Sequence, residues 1–95
     1  MSYWVYILIS QYKSKFVTYV GYTKNIKKRL ELHNTSKGAK FTKGRKWTLI
    51  YKKSYRNKSI AMKNEYKLKK DNFKRNQIKD KYINSIYENS NSTSI

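Results

Sequence analysis

The chain has 95 residues, with 23 Lys and Arg against 5 Asp and Glu, a formal net charge of +18 at pH 7. That length holds one small domain and no second core, and three Gly with no Pro exclude a collagen-like or Pro/Gly-rich disordered chain. Ten Tyr and 16% aromatic residues exceed what a disordered basic tail carries, so the composition is that of a folded domain with a very basic surface.

Residues 3–9 are aromatic and β-branched, apolar on both alternating faces, and predict a central strand covered on both sides. Residues 16–22 carry a second strand signal, ended near Gly21, and the short join at 10–15 fits a hairpin without an Asn-Gly turn. Thr23 is the expected cap of a helix over about 24–34, where Ile26 and Leu30 lie one turn apart. Residues 35–45 hold Gly38 and Gly44 among Lys37, Lys40, Lys43 and Arg45, and read as a loop or a short helical turn. A third strand follows at 47–55, then a helix from 59 to about 70. A third helix, from 74 to about 86, carries Ile78, Tyr82 and Ile86 at i, i+4 and i+8. The order β-β-α-β-α-α predicts an α/β (α+β) domain: a small three-stranded, mostly antiparallel sheet flanked by helices. Residues 1–83 form the domain, and 84–95, rich in Ser and Asn, form the end of the last helix and a frayed polar tail.

Of the basic residues only Lys13 and Lys15 precede Tyr22, and none follows Lys81. Such a charge excess repels itself and attracts polyanions, which makes nucleic acid the leading partner. Lysines fall on every side of the expected helices rather than opposite an apolar stripe, which disfavours an anionic membrane surface. A generally basic proteome would also fill the surface with Lys and Asn. Without Cys, neither a disulfide nor a thiolate zinc site holds the fold. The longest apolar run, residues 4–9, is too short for a membrane span or signal-peptide core, so a cytoplasmic location is expected.

Three sets of side chains can carry chemistry. Arg29 and His33 lie four apart on one helix face bordering the apolar Ile26 and Leu30. They are either a solvated Arg with a core-edge His or a phosphate-gripping Arg beside a proton-handling His. Glu65 falls between Ala61 and Leu68 on the inward face of the second helix, so it must pair with a lysine or hold a divalent ion. Tyr6 and Tyr19 lie mid-strand, as core aromatics or as phenols that act as a general base only if nearby cations or a metal lower their pKa from about 10.

These residues assemble into a resemblance. Trp4-Val5-Tyr6-Ile7-Leu8 followed by Tyr19-Val20-Gly21, then Arg29, His33 and Glu65, resembles the ordered signature of the GIY-YIG nuclease domain over residues 3–83. Gly38-Ala39-Lys40-Phe41-Thr42 and the run Glu65-Tyr66-Lys67-Leu68-Lys69-Lys70 look like its single-domain bacterial branch, which is similar to the catalytic domain of Slx-type structure-specific endonucleases. The resemblance implies an endonuclease that hydrolyses DNA with one Mg²⁺ or Mn²⁺ ion, selecting structure rather than sequence, in DNA repair or recombination. By the same resemblance Tyr6 takes a proton from water, His33 accepts or relays it, and Tyr19 hydrogen-bonds near the nucleophile or phosphate. Arg29 then stabilises developing charge and Glu65 holds the metal. Lys40, Lys43, Arg45, Lys67 and Lys69 are the expected nucleic-acid contacts. Departures are the missing first Gly at Trp4, Val20 in the second tripeptide, and Phe41 where related chains carry Tyr. Asn72 and Asn76 are candidates for the Asn that follows the metal-binding Glu in many members. RNA remains open as substrate, as does a protein partner that supplies selectivity. The competing expectation is a non-catalytic, basic module that binds nucleic acid by charge and stacking, or an RNA-associated accessory protein.

Overall fold

The computed structural model describes residues 2–92. Three strands, β1 (Tyr3–Tyr12), β2 (Lys15–Thr23) and β3 (Thr48–Tyr55), form one antiparallel sheet in the order β2-β1-β3. Three helices follow or interrupt them: α1 (Ile26–Asn34) between β2 and β3, then α2 (Lys58–Lys70) and α3 (Asn72–Ser92), with a single 3₁₀ turn at Lys40–Thr42. The expected β-β-α-β-α-α order and antiparallel sheet are the ones found.

The apolar run at 4–9 lies in the central strand, and every residue from Val5 to Ser10 is buried. Alternation sends Val5 and Ile7 to one face, where they meet Val20, Ala61 and Leu68, with Ile78 packed alongside. Tyr6 and Leu8 point to the other, against Trp47, Tyr19, Ile26 and Leu30. Both faces are therefore covered, by α2 and α3 on one side and by α1 with the following loop on the other. A bulge shifts the β1–β3 register between Ile7 and Leu8, which pair with Tyr51 and Leu49. The hairpin turns on Lys13 and Ser14, with Lys13 at φ 57°, a left-handed conformation that a glycine would adopt more easily.

Two boundaries differ from the sequence reading. Asn25, not Thr23, caps α1: its side chain accepts from the Lys28 backbone N–H at 3.0 Å. Thr23 closes β2 instead, and its Oγ1 accepts from the Asn25 N–H at 3.2 Å, so the strand continues to the residue that periodicity assigned to the helix. The third helix starts at Asn72, where Asp71 Oδ1 accepts from the Lys74 N–H at 3.0 Å, and runs to Ser92 rather than stopping near residue 86. Neither Gly nor Pro interrupts 84–92, so helical hydrogen bonding outlasts the apolar stripe into residues expected to fray. The remainder of the expected tail, 93–95, lies outside the described residues. Among the described residues no helix is long and apolar enough to cross a membrane.

Candidate active site

His33, on the last turn of α1, is fully buried and bonded through both ring nitrogens. Its Nδ1 lies 2.9 Å from Thr42 Oγ1, and Thr42 spends its own hydroxyl proton on the Ala39 carbonyl at 2.8 Å. Thr42 is thereby an acceptor toward the ring, which assigns the proton to Nδ1 and leaves the Nε2 lone pair free. That lone pair receives the Tyr6 hydroxyl at 2.9 Å. A directional chain of hydrogen bonds results, from Tyr6 through His33 and Thr42 to a backbone carbonyl. Two glycines make room for it: a Cβ at Gly38 would sit 2.5 Å from His33 Nδ1, and one at Gly21 would sit 2.5 Å from the Tyr6 hydroxyl.

Tyr6 opens onto a cleft of about 450 Å³ beside the β2 edge, lined also by Tyr19, Gly21, Arg29, Lys58 and Glu65. The register Tyr6↔Gly21 and Leu8↔Tyr19 puts the two tyrosines diagonally on one face, with ring centroids 6.5 Å apart. Glu65 reaches the cleft from α2, whose Ala61 and Leu68 are buried against the sheet as their spacing predicts. Its side chain is only 17% exposed and pairs with Lys69 at 3.4 Å. Burial pushes the Tyr6 phenol up to about 12, against the opposing pull of the Arg29 guanidinium. Burial likewise lowers His33 below its usual 6.5, and the positive charge of Arg29 adds to the effect. Desolvation of a phenol that is 2% exposed thus outweighs the pull of one guanidinium. At neutral pH the pair holds a neutral phenol donating to a neutral imidazole.

The model of the GIY-YIG catalytic domain family matches residues 2–83. The chain belongs to the GIY-YIG family. Among its relatives is a UPF0213 protein of Oceanobacillus iheyensis, 46% identical over 67 residues, which cover 70% of this chain and 74% of that one. A UPF0213 protein of Staphylococcus haemolyticus is also 46% identical, over 52 residues covering 54% of this chain and 63%, less than two thirds, of that relative. The solution NMR structure of a UPF0213 protein from Bacillus halodurans matches at 30% identity with a TM-score of 0.45, covering 95% of this chain and 94% of that one. The GIY-YIG domain is that of a nuclease superfamily, whose substrate is nucleic acid and whose members are generally divalent-metal-dependent.

Of the five GIY-YIG signature residues anticipated from sequence, Tyr6, Tyr19, Arg29 and Glu65 line one cleft, and His33 stands behind Tyr6. None of the anticipated nucleic-acid contacts lines the cleft itself. Lys67 lines a separate hollow with Tyr51 and Lys74, Lys69 pairs with Glu65, and Lys40, Lys43 and Arg45 lie on and after the 3₁₀ turn. Lys24 and Lys58 are the lysines that line the cleft, and nothing in local sequence separates them from the other basic residues. Neither Asn72 nor Asn76 reaches it, and Asn72 Oδ1 instead accepts from the Arg75 guanidinium. Sequence reasoning also missed Thr42, a buried hydroxyl in a loop. Its only signal was its place in the Gly38–Thr42 stretch that resembles the single-domain branch.

Whether these residues suit a divalent ion follows from the donors. Among the described residues no group of three or more His, Cys, Asp and Glu gathers into a cage. One largely buried carboxylate opening on a cleft does suit Mg²⁺ or Mn²⁺, which take one or two protein oxygens and complete their shell with water and substrate phosphate. Glu65 is the residue that would hold it.

Proposed function

We propose that this chain is a divalent-metal-dependent endonuclease that hydrolyses phosphodiester bonds in DNA, selecting substrates by structure rather than sequence. The observation that carries the reading is the Tyr6–His33–Thr42 chain ending in a cleft that also presents Arg29 and Glu65. A water in the cleft gives a proton to the Tyr6 oxygen as the Tyr6 proton moves to His33 Nε2. The phenol thus acts as a relay that never needs to be a free phenolate, in keeping with a pKa of about 12. Neutral His33 is the terminal acceptor, and Thr42 holds its ring in the accepting tautomer. Arg29 neutralises charge growing on the phosphate, and Tyr19 orients the nucleophile or the phosphate. Glu65 would hold a divalent ion, which would supply Lewis-acid stabilisation of the leaving group. Lys24 and Lys58 draw the backbone into the cleft.

One observation favours a second reading, a non-catalytic binding module: Glu65 already has a cationic partner in Lys69. A cleavage assay on labelled duplex, flap, branched and single-stranded DNA with Mg²⁺ or Mn²⁺ separates the two. The nuclease reading expects metal-dependent nicking that Glu65→Gln abolishes and that Tyr6→Phe lowers by about 10²- to 10⁴-fold, the usual contribution of a positioned proton-transfer group. Equal cleavage by Glu65→Gln would remove the metal-ligand role. Salt-sensitive binding without cutting on any substrate would establish the module.

A further inference from the structure

We propose that Phe41 is a base-stacking platform at the mouth of the cleft and that the DNA this protein takes carries an unpaired base there, as a single strand, flap or branch does. The inference rests on the nucleic-acid reading above and adds the class of substrate to it.

Phe41 is 56% exposed, one of several large apolar side chains open to solvent. It is not loosely held. Its ring stacks on Tyr19 with centroids 6.2 Å apart and an interplanar angle of 20°, and its centroid lies 6.3 Å from that of the tilted Trp47 ring. Trp47 is itself buried and anchored: its indole N–H donates to the Thr42 carbonyl at 3.0 Å, and its backbone N–H donates to Asn34 Oδ1 at 2.6 Å. The 3₁₀ turn at Lys40–Thr42 divides two neighbours by direction, Thr42 inward to His33 and Phe41 outward over Tyr19. An aromatic ring whose inner side is fixed and whose outer side meets solvent is pre-organised for stacking, with little ordering entropy left to lose.

The surroundings identify the occupant. Lys40 and Lys43, both exposed, flank Phe41 in sequence, and Arg45 follows. Exposed aromatics among cations are how single-stranded nucleic acid is gripped, because every base has a π-face and every nucleotide a phosphate. Bases inside a duplex are already stacked on both sides and offer no face to Phe41. Tyr19, the ring beneath Phe41, also lines the cleft, so a base stacked on Phe41 lies next to the phosphate that the cleft receives.

The test uses the full chain without divalent metal, so that binding is read apart from cleavage. Single-stranded DNA carrying 2-aminopurine and a blunt duplex are titrated by anisotropy and base fluorescence, with wild type, Phe41→Trp, Phe41→Leu and Phe41→Ala compared at matched far-UV circular dichroism. Stacking predicts quenching of 2-aminopurine by wild type and Phe41→Trp. It also predicts about 10-fold weaker single-strand binding in Phe41→Ala and Phe41→Leu, with duplex affinity held within about twofold. Phe41→Leu keeps an apolar contact with Tyr19 but lacks a π-face, so unchanged single-strand affinity in that variant overturns the proposal. Equal losses on duplex and single strand also overturn it, since they mark Phe41 as a support for Tyr19. Intact quenching here, together with no cutting in the separate Mg²⁺ or Mn²⁺ cleavage assay, would sink the nuclease reading and leave the platform standing.

Discussion

Replacing Thr42 with valine tests the hydrogen-bond chain at its least obvious link. Valine keeps the shape of the buried side chain while removing a hydroxyl that donates to the Ala39 carbonyl at 2.8 Å and accepts from His33 Nδ1 at 2.9 Å. The carbonyl retains a second donor, the Thr42 backbone N–H at 3.0 Å, so the loss falls on the imidazole. A fully buried ring N–H left without a partner destabilises by about 1–3 kcal/mol. In a domain of this size each kcal/mol lowers the melting temperature by about 4–8 °C, so Thr42→Val should melt roughly 4–24 °C below wild type. His33 can escape part of that penalty by moving its proton to Nε2, but Nε2 is then no longer an acceptor for Tyr6. Thermal melting combined with ¹⁵N shifts of the His33 ring reads both outcomes. Thr42→Ser, which keeps the hydroxyl, should retain the wild-type tautomer. If Thr42→Val melts within about 1 °C of wild type and its imidazole still carries the proton on Nδ1, Thr42 does not hold the His33 tautomer.

Other perturbations act on neighbouring features. Gly21→Ala would place a methyl 2.5 Å from the Tyr6 hydroxyl and 2.6 Å from Cζ, so it should displace the phenol and destabilise by about 1–3 kcal/mol, read by urea denaturation. Lys13→Gly relieves a left-handed φ of 57° in the hairpin and should stabilise by about 1 kcal/mol in the same measurement, with no change at the cleft. Acid should destabilise through His33: its folded pKa is lowered, so the unfolded chain binds more protons below about 6.5, and stability falls as pH falls through that region. Base acts through Tyr6. The unfolded phenol ionises near 10 while the folded one waits until about 12, so stability present below pH 10 is lost as pH rises between them, on the order of 2 kcal/mol. Melting curves across pH should therefore decline at both ends, and Tyr6→Phe should remove part of the alkaline decline.

Much of this was readable from the chain because it depends on neighbours. A run apolar on both faces could only be a central strand, and Ala61, Glu65 and Leu68 at helical spacing turned a carboxylate toward the sheet. Net charge and aromatic content pointed to a polyanion, and the order of Tyr6, Tyr19, Arg29, His33 and Glu65 carried the GIY-YIG resemblance. Helix starts were legible only in kind: Asn25 and Thr23 are both good caps, and the length of β2, set by pairing with β1, decided between them. Local periodicity and composition act over a turn or a pleat. The site does not: Tyr6 and His33 are 27 residues apart, and Thr42 joins them from a loop without a periodic signal. Tertiary structure alone chose Lys24 and Lys58 from among so many cations, because a cleft wall is a matter of where elements pack. It alone set the Tyr6 pKa as well. From sequence, base chemistry at Tyr6 was tied to a lowered value; burial raises it instead, because desolvation depends on enclosure, which only the folded chain creates.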